Sequence, residues 1–329
     1  MKENRVKRDY SKLSKYLNIL QALGVLLIMV IAMSIMFPKF LSIINLTNLM
    51  KQLSVVMILG AGMTFCILSG EFDISVGSVV GLAGVTAGLI IPRYGISLGI
   101  LAAITVGMSI GFFNGIVTTK GKIPSFITTL GTLLIARSLA FVVTKGKVIS
   151  DFPSIFRTIG QGTVFGIPLL FIIVIIIYGI AFTVLRKTTF GVSVYSVGSN
   201  RTAAILSGIN ADRIKITAFI ISGTLAGFCG ILMSSRAMAV QAMTGMGLEF
   251  EVIAAVVIGG ASLRGGEGNI LQTMIGVLII GLIRNGLNMS HVDVYWNDFV
   301  KGFVIIFAVL LDSLRKVIQG KMSERSYLE

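Results

Sequence analysis

The stretch GEFDISVGSVVGLAG, residues 70–84, decides how this chain folds. It sets two carboxylates, Glu71 and Asp73, between apolar runs that continue far enough on both sides to cross a bilayer twice. A helix needs about 20 apolar residues to cross the hydrocarbon core. A charge at its centre costs about 3 kcal/mol or more, so an acid there stands near an interface, pairs, or lines a cavity. The position between two runs predicts the first: acids at span mouths, where the free N–H groups of a helix start favour an anion.

The composition supports a lipid solvent. Of 329 residues, 55% are hydrophobic and only 13% are charged, and the mean hydropathy is +0.93. Soluble domains carry about 25% charged residues. The length allows roughly ten helical spans with short loops and no large soluble domain. A net charge of +14 would suggest nucleic acid in a soluble protein. Here the basic residues lie between apolar runs, so they are read as setting orientation in lipid, and nucleic acid is not an expected partner. Cys66 and Cys229 fall inside apolar runs, which argues against a disulfide or metal framework. His291, the single histidine, has no Cys nearby to complete a metal site.

The expected fold is therefore all-α: a polytopic transmembrane bundle of about ten spans. They cover residues 17–37, 52–70, 74–91, 96–118, 125–144, 164–185, 216–235, 251–261, 270–283 and 300–311, the last three being short. Residues 1–16 form a basic leader, 17–315 the membrane domain and 316–329 a tail. No small-residue cleavage site follows the first run, which is expected to stay as a span. Pro38, Pro92 and Pro124 are placed at span boundaries, where a missing N–H is tolerated. Basic residues concentrate in the leader, the tail and the alternate connections holding Lys120, Lys122, Arg186, Lys187, Arg201, Arg213, Lys215 and Arg264. That bias puts both termini in the cytoplasm.

Glycines recur at four-residue steps: Gly77 and Gly81, Gly84 and Gly88, Gly107, Gly111 and Gly115, and Gly223 and Gly227. Such steps let helix backbones approach closely, so these residues are assigned to packing. EFDISVGSVVG (71–81) also matches EFEVIAAVVIG (249–259), placing Glu71, Phe72 and Asp73 on Glu249, Phe250 and Glu251. In the expected topology the two copies enter from opposite faces, the pattern of inverted-repeat halves. Phe72, Asp73, Phe250 and Glu251, with Glu71 and Glu249, are accordingly expected to border a translocation path and its gates. Carboxylates accept bonds from solute hydroxyls. Arg137, the only basic residue deep in a span, is expected to face protein or water and to pair with one of the acids, or else to snorkel.

Residues 186–215, RKTTFGVSVYSVGSNRTAAILSGINADRIK, make a connection of a length that is usually functional. Ser199 or Asn200 can cap a short helix over 201–207, and Gly208 can end it in a left-handed conformation. Thr202, Ala203, Ala204, Ile205 and Leu206 give it a small apolar face suited to a groove on a soluble partner. IGGASLRGGEG (258–268) reads as a tight turn on the same side, or as a second partner contact through Arg264 and Glu267.

With the segment GLIRNGLNMSHVDVYWNDFVKGFVIIFAVLLD (281–312), these motifs resemble the permease subunits of ATP-binding-cassette importers for monosaccharides, the ribose-permease-like branch. The resemblance covers nearly all of the chain from about residue 45. It implies a helical transmembrane subunit working with a second permease subunit, a cytoplasmic ATPase that binds ATP and Mg, and an external solute-binding protein. It also implies that Asn200, Arg201, Thr202, Ala203, Ala204, Ile205, Leu206, Ser207, Gly208, Ile209 and Asn210 couple to that ATPase. The chain has no G-x-x-x-x-G-K-[ST] phosphate loop, so no cofactor is expected on it. The rival reading is an ion-coupled secondary transporter, which needs titratable groups at mid-membrane. An intramembrane enzyme ranks last, because no catalytic pair or activated nucleophile stands within a span.

Overall fold

The computed structural model describes residue 20, residues 22–290 and, beyond them, residues 296, 299, 300, 302, 303, 306 and 310. The helices are α1 (Ala22–Met36), α2 (Ile43–Leu68), α3 (Val76–Tyr94), α4 (Ile96–Thr119), α5 (Ser125–Thr144), α6 (Arg157–Gln161), α7 (Leu169–Lys187), α8 (Thr189–Ser199), α9 (Arg201–Leu206), α10 (Ala211–Ala237), α11 (Leu248–Ile258) and α12 (Ile270–Met289). A small hairpin, β1 (Thr163–Val164) and β2 (Ile167–Pro168), precedes α7. Among the described residues, α2, α3, α4, α5, α7, α10 and α12 are the seven helices long and apolar enough to span a bilayer.

Several expected boundaries move. The second span begins at Ile43 rather than 52, because Ser42 caps the helix by accepting from Asn45 N. The sixth begins at Leu169 rather than 164, because Phe165 and Gly166 take positive φ to close the hairpin. Pro92 lies inside α3, in its last turn, and Gly95 at φ +89° ends that helix. The ninth span is a full 20 residues, α12. The eighth is α11, with 11 residues and a length of about 16 Å, half a bilayer. The leader, the tail and most of the tenth span lie outside the described residues.

The connection 186–215 is helical almost throughout rather than a loop. Thr188 caps α8, Asn200 caps α9 and Asn210 caps α10, each accepting from the N–H three residues on. Gly208, at φ +84°, donates to Ile205 O, and Ile209 donates to Ala204 O, which closes a Schellman motif.

Burial sorts the helices. The apolar window of α2 is 89% buried, against 22% for α4 and 28% for α5 and α7. Thus α2 is the central rod, while α4, α5 and α7 show apolar side chains such as Leu101, Leu134 and Ile176 to lipid. Helix α10 runs antiparallel to α2: Gly62 lies against Ser222, Cys66 against Ala218 and Val55 against Cys229. It crosses α4 at bare backbone. A Cβ on Gly107 would sit 2.1 Å from Gly223 O, and one on Gly111 2.2 Å from Phe219 O. Gly115 meets Ile216 in the same way. Glycine therefore sets how closely α4 and α10 approach, and dispersion across that contact holds them.

Candidate functional site

Both long antiparallel rods, α2 and α10, are followed by irregular backbone that turns back into the bundle before a new helix starts. Residues 69–75 lead from α2 to α3, and residues 238–247 lead from α10 to α11. Because α2 and α10 run in opposite directions, the two segments re-enter from opposite ends. The acids of the sequence match stand where they stop: Asp73 just before α3, Glu249 and Glu251 in the first turn of α11.

The structure buries these acids: Glu71, Asp73, Glu249 and Glu251 are all buried, Asp73 to 1% exposure. Asp73 accepts from Ser222 Oγ at 2.7 Å, and Ser222 lies eleven residues beyond Ala211, about 16 Å along α10. Asp73 therefore stands deep rather than at a span mouth, because the chain re-enters after α2, a choice that an apolar run does not reveal; Glu71, paired with Lys215 in the first turns of α10, stays near the helix end.

Each acid is held by neighbours. Asp73 Oδ1 accepts from Ser75 N at 3.1 Å and Ser75 Oγ at 2.5 Å. Asn114 donates to Ser75 Oγ at 3.0 Å, and Thr132 donates to Asn114 Oδ1 at 2.6 Å. A chain of hydrogen bonds thus joins α10, the first segment, α4 and α5. These bonds satisfy the polar atoms of a buried carboxyl group. Glu71 pairs with Lys215 at the start of α10, and Glu251 with Arg284 Nη1 at 3.3 Å. Glu249 accepts from Gly247 N at 3.2 Å and packs on the bare face of Gly77.

Arg137 is half-buried. Its Nη1 donates to the carbonyls of Ala242 and Thr244 (the latter at 2.9 Å). Gly81, Gly84 and Gly88 face this second segment: their Cβ positions would fall on Thr244 O and on Val240 side-chain atoms. In α3, then, the glycine steps accommodate irregular backbone as well as a helix. Phe250 and Met246 are exposed, and Phe72 is half-buried.

A second locus lies at the end where α2 stops. There α9 carries Ala204, buried with Val197 and Ala211 against Ile209 and Ile214. The exposed apolar ridge is instead Ile205 and Leu206, at 49% and 84% exposure. Arg201 and Lys120 both bond Asp212, at 3.0 and 2.9 Å, tying α9 and α4 to α10. The 258–268 turn abuts this region through close backbone contacts and through Tyr195, whose hydroxyl donates to Gly268 O at 3.0 Å. Gly266 N donates to Leu68 O at 2.9 Å, and a Cβ on Gly198 would lie 1.9 Å from that oxygen. Arg264 and Glu267 on the turn are exposed.

Sequence reasoning missed Ser75, Asn114, Thr132 and Ser222, although a polar residue inside an apolar run is itself a signal. It also missed Lys215 and Arg284 as partners of the acids and the glycine contact of Gly198 with Gly265 and Gly266.

A family model described as "Branched-chain amino acid transport system / permease component" matches residues 45–309. The chain belongs to that permease family. The ribose import permease protein of Haemophilus influenzae is 39% identical over 293 residues, 88% of the permease described here and 91% of that relative. The L-arabinose transport system permease protein of Escherichia coli K12 is 36% identical over 298 residues, 89% and 90% of the two chains. The autoinducer 2 import system permease protein of Yersinia enterocolitica is 35% identical over 292 residues, 88% and 81%. No solved structure matches the permease. With its long apolar helices, it is a multi-pass protein of the cell membrane.

Proposed function

We propose that the chain is the membrane subunit of an ATP-binding-cassette importer for a monosaccharide or a similar small polar solute. The carrying observation is the pair of irregular segments that enter the bundle from opposite ends inside a permease-family fold. Broken elements of this kind, related by inversion, build solute sites at the bilayer midplane. Irregular backbone at membrane depth is tolerated where protein or water covers it, not lipid. The exposed side of residues 238–247, with Arg137, Met246 and Phe250, is therefore read as facing the path. Phe72 lines its other half, and Glu71, Asp73, Glu249 and Glu251 border it by anchoring the two segments.

ATP is hydrolysed by a separate subunit docked on the cytoplasmic side against residues 200–210, chiefly Ile205 and Leu206. An external solute-binding protein delivers cargo, and a second permease subunit completes the path. Both termini lie in the cytoplasm, as the bias of basic residues expects. The names of the relatives support a sugar or sugar-like cargo.

Uptake of labelled ribose, arabinose and glucose into vesicles holding the assembled complex tests this reading. It predicts ATP-dependent accumulation of at least one such solute, competed by its close epimers. Accumulation of branched-chain amino acids alone would contradict it.

A further inference from the structure

Both irregular segments are fastened to a single helix, α5. Its buried stripe includes Ser125, Thr129 and Thr132. Phe72 N donates to Ser125 Oγ and Ile74 N to Thr129 Oγ1, each at 3.1 Å. Thr132 reaches the same segment through Asn114 and Ser75. Eight residues beyond Thr129 along α5, about 12 Å away, Arg137 holds the second segment by its carbonyls of residues 242 and 244. Irregular backbone in a bilayer must find hydrogen-bond partners inside the protein. Both segments find some of these partners on the same rod, which otherwise packs mainly on α3 and α4; Val240 of the second segment also pairs with Ile149.

We infer that α5 is a shared clamp: it ties the two re-entrant segments together, so that neither half of the path rearranges while the other stays fixed. Ser125, Thr129 and Arg137 are its positioning residues. The functional part of this inference rests on the reading of those segments as the borders of the path; the mechanical part does not. A shared clamp makes a crosswise prediction that local anchoring does not, and such coupling has to be measured rather than assumed from proximity.

Hydrogen exchange of the full chain in lipid nanodiscs supplies the test, because amide protection reports local opening. Arg137→Gln should speed exchange within residues 70–75 at least five-fold, although Arg137 bonds only the other segment among the contacts above. Thr129→Val should likewise speed exchange within 240–247, while Thr129→Ser, which keeps the hydroxyl, should stay near the parent. If Arg137→Gln opens α2 as well and so unfolds the chain, Arg137→Lys carries the same prediction, with at least two-fold faster exchange in 70–75. Each variant loosening only the segment it touches would overturn the clamp. In the assembled transporter, Thr129→Val should lower the maximal uptake rate at least three-fold, and Thr129→Ser should restore it. Failure of the crosswise exchange with ATP-driven uptake intact removes the clamp alone. Absence of ATP-driven uptake in the parent removes the path reading and leaves the exchange result standing.

Discussion

Replacing Leu206 by Gln should weaken docking of the ATPase subunit without touching the fold. In the isolated chain Leu206 is 84% exposed on α9, and its removal empties no cavity. A surface change of this kind alters stability by no more than about 0.5 kcal/mol. If Leu206 fills a groove on the ATPase, its burial is worth about 1.5–3 kcal/mol. Losing that weakens the complex roughly 10- to 150-fold. Ala204 provides the contrast. It is 3% exposed, wedged between α8 and the start of α10. Ala204→Leu overfills that site at about 1–3 kcal/mol and should lower thermal stability first. A large side chain at position 204 is thus expected to act first as a fold defect, and the exposed neighbours Ile205 and Leu206 are the ones expected to meet the ATPase. The assay is titration of the cognate ATPase subunit onto nanodisc-held permease, with thermal unfolding of each variant measured alongside. Parent-like affinity for Leu206→Gln, or reduced affinity with unchanged melting for Ala204→Leu, would refute the assignment.

Other substitutions probe the scaffold. Gly107→Ala forces a Cβ to within 2.1 Å of Gly223 O, so it should destabilise by about 1–3 kcal/mol and lower the apparent melting temperature in detergent; Gly131→Ala, with nothing within 4 Å, should not. Equal melting of the two would contradict the α4–α10 contact. Glu71→Gln alone leaves the half-buried Lys215 without its partner and should cost about 1–3 kcal/mol, whereas the double change with Lys215→Met should recover most of that loss. A melting-based double-mutant cycle with no recovery would speak against the pair. Gly198→Ala drives α8 off the end of α2 and should cut solute moved per ATP several-fold while the ATPase still binds; unchanged stoichiometry would count against a role for that junction.

Legibility in the sequence followed the physics of each signal. Helix α5 occupies residues 125–144 as its apolar run predicts, bounded by Pro124 and a left-handed Lys145. The short helix α9 was readable from Asn200 and Gly208, because caps are local chemistry. The glycine step at 107, 111 and 115 pointed to close backbone approach, which the α4–α10 crossing displays. Hydropathy could not reveal that residues 69–75 and 238–247 re-enter the bundle, since irregular and helical backbone of equal apolarity read alike. Asp73 was misplaced for that reason. The match between 71–81 and 249–259 gave no guide to this, because residues 71–73 are irregular while 249–251 lie in the first turn of α11. Partners such as Ser222 for Asp73 lie 149 positions away in sequence, beyond any local pattern.

The most direct measurement is solute accumulation in sealed proteoliposomes containing the purified chain, with and without its ATPase and solute-binding partners, under an imposed proton or sodium gradient or with ATP. The account predicts accumulation above the external concentration only when the partners and ATP are both present, and none from either gradient. Uphill transport by the chain alone, driven by an ion gradient, would contradict it.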